Sequence, residues 1–220
     1  MTIVIAICGT MGSGKSTFVE NVTAALPDCR TLHEDDFNRT TDRSLAEIDE
    51  WWERGASVDE FDLSQLIQQL AVMCPDKSPT AKAAAEKSRR GETDILLLET
   101  HFGRLHPELN PWIDYQCWID VPADIAVMRK VAQLSAQLRS QPSGDSASEG
   151  LRWIENFCKG YLTTTRKLFE MQRQKVRDLS DLSIDGHATP LNVCAEFLQK
   201  LPEAYKPDQV TGTVAHANRI

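Results

Sequence analysis

The chain has 220 residues, of which 41% are hydrophobic and 25% are charged, as expected for one globular domain with a sizeable core. Its net charge of −8 gives it no basic surface for nucleic acid or anionic membrane, so neither is expected as a partner. No apolar run is long enough to span a membrane, and the N-terminal "MTIVIAICG" is too short and lacks basic residues for a secretion signal. These features predict a cytoplasmic protein.

The six cysteines are scattered and contain no C-x-x-C pair, which argues against a zinc site or a disulfide framework. Reduced thiols in a reducing compartment are the simpler interpretation. Each is predicted to act as a small buried hydrophobic side chain. They are Cys8, Cys29, Cys74, Cys117, Cys158 and Cys194.

The first half of the chain alternates strand and helix patterns. Residues 2–8, "TIVIAIC", form a continuous β-branched run that ends at Gly9, typical of a strand buried on both faces. Helical periodicity follows over 15–28, then a short strand over 29–33, "CRTLH". An amphipathic helix is predicted over 62–73, beginning at Asp62 or Ser64, and 75–94 is a polar surface excursion.

The second half repeats the alternation. Strands are predicted at 95–99, 115–121 and 182–186, and helices at 122–139, 151–176 and 190–201, with a Ser/Gly/Pro loop over 140–150. The pattern predicts a three-layer α/β fold with a mostly parallel sheet, in one domain covering 1–202 and followed by a polar tail over 203–220. In such sheets ligands bind at the carboxyl ends of the strands.

The segment "GTMGSGKS" after the first strand matches G-x-x-x-x-G-K-[ST] at every fixed position and opens a helix. In this P-loop motif, backbone N–H groups and the helix N-terminus bind phosphate oxygens. Lys15 is expected to reach the β- and γ-phosphates, and the Ser16 hydroxyl to bind Mg²⁺. The predicted nucleotide-binding residues are Gly9, Thr10, Met11, Gly12, Ser13, Gly14, Lys15, Ser16 and Thr17.

Nucleotide binding alone covers several classes of protein. A GTPase switch would need an NKxD-type guanine motif and a DxxG after the second metal strand, and the sequence contains neither. Motor and AAA-type ATPases usually have a larger domain and an arginine finger. The small size therefore favours a small-molecule kinase.

The acidic stretch "TLHEDDFNR", residues 31–39, lies where the second strand ends, on the same edge of the predicted sheet as the phosphate loop. A kinase needs a carboxylate there to orient the attacking hydroxyl and accept its proton. We predict that Asp35 has this role. Asp36 is expected to cap a helix or to contact the metal through water.

The segments "GTMGSGKST" and "LHEDDFNR" resemble the nicotinamide riboside kinases and the related uridine kinases. The similarity extends over residues 3–200 and implies a P-loop fold with a helical lid. In that family the first aspartate of a "DDF[YF]K" motif is regarded as the catalytic base, which corresponds to Asp35. Phe37 and Arg39 correspond to the family's aromatic and basic residues at the substrate.

Further positions carry the same resemblance. Trp52 and Glu53, in "WWERGASVDEF", correspond to an aromatic–acid pair that contacts the nucleoside, although packing of Trp51 and Trp52 in the core or lid is an equal alternative. Glu99, in "ILLLETHF", corresponds to the acid near Mg²⁺. The next residues, Thr100 and His101, replace the usual Gly-Phe, so His101 is a candidate substrate contact. Asp185 and Gly186, in "LSIDG", correspond to the segment that lines adenine.

The lid, about 122–160, departs most from the family pattern of several arginines. Arg129 is retained as a catalytic candidate, Lys130 replaces an arginine, and the family's aromatic "PPxYF" segment is replaced by "SQPSGDSASEG". Either other residues complete the lid, namely Arg139, Arg152 or Arg166, or the acceptor is not a pyridine nucleoside.

The resemblance thus implies a kinase that uses ATP and Mg²⁺ on a small-molecule hydroxyl, with the 5′-hydroxyl of nicotinamide riboside or a related nucleoside as first choice. Two alternatives stay open. One is a P-loop kinase for another acceptor, such as uridine, a sugar or a small acid, and the other is a nucleotide-binding regulatory protein without turnover. The sequence leaves open whether the protein is a monomer or a homodimer.

Overall fold

The computed structural model of the protein describes residues 1–26, 28–37, 45–77, 94–139 and 146–205. It contains a five-stranded sheet with the strand order β2-β3-β1-β4-β5. All four neighbouring pairs are parallel, which confirms the predicted α/β class. The strands are β1 (Thr2–Cys8), β2 (Arg30–His33), β3 (Asp94–Thr100), β4 (Tyr115–Asp120) and β5 (Leu182–Asp185).

Seven α-helices accompany these strands in the described part of the chain. None of them is long and apolar enough to cross a membrane. Two π-helical segments, Tyr161–Thr165 and Gln172–Val176, lie on either side of α6. The α-helices are α1 (Lys15–Ala25), α2 (Leu45–Glu53), α3 (Ser64–Met73), α4 (Ala123–Arg139), α5 (Ser146–Gly160), α6 (Arg166–Met171) and α7 (Pro190–Lys200).

Strand β1 lies in the centre of the sheet, and its residues from Ile3 to Cys8 are at most 1% exposed. Side chains alternate along a strand, so β1 contributes to two separate cores. Ile3, Ile5 and Ile7 pack with residues of α1 and α7. Val4, Ala6 and Cys8 pack with residues of α3 on the opposite face. The sheet is therefore the middle of three layers.

The structure corrects two element boundaries. The loop predicted over 140–150 is helical from Ser146 onward, and 140–145 lie outside the described residues. Gly150 in α5 is buried against Leu138 of α4, where a Cβ on Gly150 would come within 2.3 Å of the Leu138 side chain. This close tertiary contact explains why a segment of weak helix formers is helical. Helix α2 was not predicted at all.

The predicted tail also begins differently. Residues Glu203–Tyr205 form a 3₁₀ turn, and the Tyr205 ring packs edge to face on Tyr115 with centroids 5.7 Å apart. Residues 206–220 lie outside the described part of the chain. Four of the six free cysteines are buried as expected, whereas Cys29 is half-buried and Cys158 is exposed.

The turn after β1 packs closely against α4. Gly12 has φ +80°, and a Cβ at this position would lie 2.1 Å from the backbone oxygen of Ala126. An L-residue there would suffer both backbone strain and a clash with a rigid helix. Gly55 has φ +100° with nothing within 4 Å of an added Cβ, so it would suffer the strain alone.

We therefore predict that Gly55→Ala lowers the free energy of unfolding by about 1–2 kcal/mol, from left-handed strain. Gly12→Ala should cost at least roughly twice as much, because overpacking adds about 1–3 kcal/mol. Urea unfolding of both variants measures the difference. Equal losses would show that the turn and α4 are not in contact.

Candidate active site

The phosphate-binding loop is held together by Lys15, the first residue of α1. This side chain is only 6% exposed, and its Nζ donates to the carbonyl oxygens of Gly9 (3.0 Å) and Thr10 (3.3 Å). Burial lowers the pKa of Lys15 below its ordinary value, while the nearby carboxylates of Glu99 and Asp35 partly offset this effect. The ammonium group thus lies within the loop, beside the acids of the neighbouring strands.

Several features of this loop suit a bound phosphate. Gly12 and Gly14 have positive φ, which allows the backbone to turn tightly into α1, and the first turn of α1 has no acidic residue. Among the described residues, the hydroxyl oxygens of Thr10 and Ser13 are buried without a hydrogen-bond partner. Buried hydroxyls normally have partners, so these two fit a loop that is completed by an anionic ligand.

The two predicted metal ligands are in contact. The Ser16 hydroxyl donates to Glu99 Oε1 at 2.9 Å, and Glu99 is 8% exposed near the end of β3. The second carboxylate oxygen, Oε2, lies 2.6 Å from His33 Nδ1 on the adjacent strand β2. A hydroxyl and a carboxylate oxygen beside a phosphate loop are ligands of the type Mg²⁺ prefers, so the pair fits this ion.

The three consecutive acidic residues after β2 lie in different environments, one buried and two exposed. They form a 3₁₀ turn, Glu34–Asp36, in which Glu34 is 1% exposed. Its carboxylate accepts hydrogen bonds from the Thr100 hydroxyl and from the His101 backbone N–H (3.0 Å). Glu34 therefore joins β2 to the end of β3, while Asp35 and Asp36 are exposed.

Asp35, the predicted base, is hydrogen-bonded to His101. Asp35 Oδ1 lies 2.9 Å from His101 Nε2, and the Asp35 side chain keeps 61% of its surface exposed. The hydrogen bond from His101 is the main factor that lowers the Asp35 pKa. Desolvation opposes it, and the positive charge of Lys15 adds a smaller lowering effect. The carboxylate therefore stays ionised at neutral pH and is open to an incoming hydroxyl.

The other residues predicted to contact the substrate lie mainly in or against the hydrophobic cores or on the surface. Trp51 is a core residue at 1% exposure, with Nε1 bonded to the Ser57 carbonyl (2.7 Å). Trp52 is half-buried against the same cluster, edge to face with Trp51, and Phe37 packs partly on the α3 core. Glu53 is exposed at the end of α2. Arg39 lies outside the described residues.

A cavity of about 340 Å³ opens beside the phosphate loop, between α1, α4 and α7. Arg129 lines it and donates from Nη1 to the Gly186 carbonyl at 3.0 Å. The predicted adenine segment therefore contributes Gly186, whereas the Asp185 side chain is 68% exposed and binds His187. The lining residues are Ser13, Gly14, Thr17, Phe18, Ile119, Arg129, Gly186, Ala188, Pro190 and Val193.

The arginines considered for the lid lie mostly on its surface. Arg139 and Arg152 are exposed, and Arg166 forms an exposed ion pair with Glu170 one helical turn away (3.2 Å). Two arginines that the sequence analysis missed, Arg173 and Arg177, flank the Asp120 carboxylate at 3.2 Å and 3.9 Å. Asp120 ends β4, next to the phosphate loop. The basic run "QRQKVR" just before the last strand could have indicated them.

Comparisons with known proteins show sequence similarity to nucleoside kinases. The chain is 29% identical over 101 residues to nicotinamide riboside kinase 2 of Mus musculus, and 27% identical over 101 residues to the Homo sapiens protein. Each match covers 45% of this chain, and 51% and 44% of the two relatives, so the chain matches only about half the length of these kinases. It is 24% identical to the uridine kinase of Borrelia hermsii over 91% of this chain and 96% of that protein. The resemblance to both groups is confirmed.

No family model matches the chain. Among solved structures, a sugar kinase from Janibacter sp. HTCC2649 has a TM-score of 0.47 at 17% identity, covering 90% of this chain and 94% of that one. The shikimate kinase of Aquifex aeolicus has a TM-score of 0.46 at 17% identity, covering 90% of this chain and 96% of that one.

The position of Arg129 gives a test that separates a nucleoside contact from a phosphate clamp. Because its guanidinium lines the cavity with Gly186, we expect Arg129→Met to weaken ATP and ADP binding equally, by roughly tenfold, or ~1.4 kcal/mol. A clamp on the γ-phosphate would weaken ATP binding alone. Calorimetric titration distinguishes the two, with Arg54→Met as the control, since Arg54 is ion-paired with Glu60 outside the cavity.

Proposed function

We propose that this chain, a P-loop protein similar in sequence to the nicotinamide riboside and uridine kinases, transfers the γ-phosphoryl group of ATP to a small-molecule hydroxyl. The first-choice acceptor is the 5′-hydroxyl of nicotinamide riboside or a related nucleoside. One observation carries the proposal: Lys15, the Ser16–Glu99 pair and the exposed Asp35 carboxylate lie at the same edge of the sheet. A protein that only binds nucleotide has no need of the last group.

The donor nucleotide would lie along the loop between β1 and α1. Backbone N–H groups of residues 9–17 and the Lys15 ammonium would hold the phosphates, where the buried hydroxyls of Thr10 and Ser13 can also find partners. The cavity beside the loop, with Arg129 and the Gly186 backbone, would hold the base and ribose. With the base in this cavity, the γ-phosphate would lie toward the Asp35 side of the loop.

Ser16 and Glu99 would hold Mg²⁺, and His33 orients the Glu99 carboxylate from the adjacent strand. When bound, this ion would neutralise charge on the phosphate oxygens and so favour transfer. Glu34 is not proposed as a metal ligand, because its carboxylate accepts hydrogen bonds from the Thr100 hydroxyl and the His101 backbone N–H.

Asp35 would orient the acceptor hydroxyl and accept its proton as the oxygen attacks phosphorus. Its lowered pKa keeps it in the form that can accept a proton, and its exposure leaves one face open to the acceptor. Positive charge near the transferring group would come from Lys15 and from Lys130 of α4, which is close enough to influence the Asp35 pKa. Closure of the lid, about 122–160, would exclude water and suppress ATP hydrolysis.

A different acceptor is the second candidate. The two aromatic residues that the resemblance places near the substrate, Phe37 and Trp52, are partly packed into the hydrophobic cores. The lid also lacks the family's aromatic segment. Uridine, a sugar or a small acid would use the same catalytic groups with other contacts.

We expect Asp35→Ala to lower kcat by about 10²–10⁴ with ATP affinity within threefold of wild type, because in this proposal Asp35 would contact the acceptor and not the nucleotide. Lys15→Ala should weaken both ATP binding and transfer. Steady-state kinetics and ATP titration of each variant measure these effects. Unimpaired turnover in Asp35→Ala would refute its role as base.

The function itself is tested by ADP production from Mg·ATP with nicotinamide riboside, uridine, cytidine, simple sugars, shikimate or no acceptor. Strong stimulation by nicotinamide riboside alone supports both the reaction and the acceptor. Stimulation by another compound supports the reaction and replaces the acceptor. If ATP binds and no compound stimulates turnover, a nucleotide-binding regulatory role is favoured.

A further inference from the structure

We propose that His101 is a positioning residue that fixes the Asp35 carboxylate for proton acceptance from the acceptor hydroxyl. The inference rests on the proposed kinase function. It assigns His101 a role different from the substrate contact predicted from sequence. In the family pattern given above, His101 stands in place of the phenylalanine of the "Gly-Phe" pair, which has no ring nitrogen to contact Asp35.

His101 is anchored through three separate groups. Its backbone N–H donates to the buried carboxylate of Glu34 at 3.0 Å, and its carbonyl accepts from Gln172 Nε2 at 3.2 Å. Its ring Nε2 lies 2.9 Å from Asp35 Oδ1. The two backbone bonds fix the position of the His101 backbone, and the side chain is only 16% exposed, which limits the freedom of the ring. The ring can therefore restrict the rotamer of the carboxylate that it contacts.

Burial decides which partner of the pair meets the acceptor. The His101 side chain is 16% exposed and the Asp35 side chain 61% exposed. The Nε2 atom of the His101 ring is hydrogen-bonded to Asp35 Oδ1. The exposed carboxylate is therefore the group that an acceptor hydroxyl can reach, and the imidazole lies behind it.

The anchor from Gln172 comes from a distant part of the chain. Gln172 is 2% exposed and begins the π-helical segment Gln172–Val176, and such segments often occur at functional sites. This segment lies near the end of the continuous helical stretch that starts in α5, the second lid helix. The position of the base is thereby tied to the element that leads into the lid.

Loss of an outer-shell hydrogen bond that orients a metal ligand typically costs about 10–100-fold in affinity or activity, and we take the same factor for a group that orients the Asp35 carboxylate. We expect His101→Phe, which keeps a ring but has no donor, to lower kcat by about that factor while KM for ATP stays within twofold. His101→Gln retains an N–H that can reach Asp35, so its kcat should remain within about threefold of wild type. Gln172→Met should lower kcat less than His101→Phe and leave KM for ATP unchanged.

Steady-state kinetics with Mg·ATP and nicotinamide riboside, together with melting temperatures, test these expectations. Arg54→Met, at an exposed ion pair away from the site, is the control for unchanged activity. If His101→Phe has the kcat of wild type while Asp35→Ala is inactive, the positioning role is overturned and the kinase proposal stays intact. If His101→Phe fails to fold, the other two variants decide. A wild-type kcat in Gln172→Met would overturn the positioning role. A loss of kcat in His101→Gln as large as that in Asp35→Ala would also overturn it.

A readout independent of turnover keeps the two proposals distinguishable. The chain has five histidines, and the imidazole ¹⁵N signals that are absent from the spectrum of His101→Gln are assigned to His101. In wild type, Nε2 should be the protonated, hydrogen-bonded nitrogen, and Asp35→Ala should shift its resonance. An unchanged His101 resonance in Asp35→Ala would overturn the inference even if no acceptor supports turnover.

Discussion

The burial of β1 in the middle of the sheet is the constraint on which the rest of the site depends. The strand pairs in parallel with β3 on one side and β4 on the other, and its side chains supply both cores. Parallel pairing brings the carboxyl ends of all five strands to one edge. The phosphate loop therefore emerges between the ends of β3 and β4, within reach of Glu99.

This edge concentrates negative charge, and the structure gives each of the buried or partly buried acids a partner. Glu34 is bonded to Thr100 and the His101 backbone, Glu99 to Ser16 and His33, and Asp120 to two arginines and the Trp118 indole. Unpaired carboxylates in such a position would be costly. Pairing lets several acids coexist beside a phosphate site, and it leaves Asp35 as the carboxylate with the most open surface among Glu34, Asp35 and Glu99.

The lid region is where the chain departs most from the kinases that it resembles. The guanidinium of Arg129 is used at the cavity beside Gly186, while Arg173 and Arg177 gather at Asp120 at the end of β4. Positive charge near the site is therefore supplied by residues that differ in sequence position from the family's lid arginines.

The sequence by itself indicated the parallel α/β fold and the phosphate loop, because strand periodicity and the P-loop spacing are local signals. It assigned Ser16 and, through the family resemblance, Glu99 to one Mg²⁺ site, and the structure brings these two side chains into contact. The sequence also indicated Asp35, since an acid at the end of a strand must lie on the ligand edge. Only the tertiary structure decided that Glu34 is a buried anchor, that Trp51 is core, and that His101 and Gln172 support Asp35. These assignments depend on contacts between residues far apart in the chain, where packing and burial, rather than spacing, select the partner.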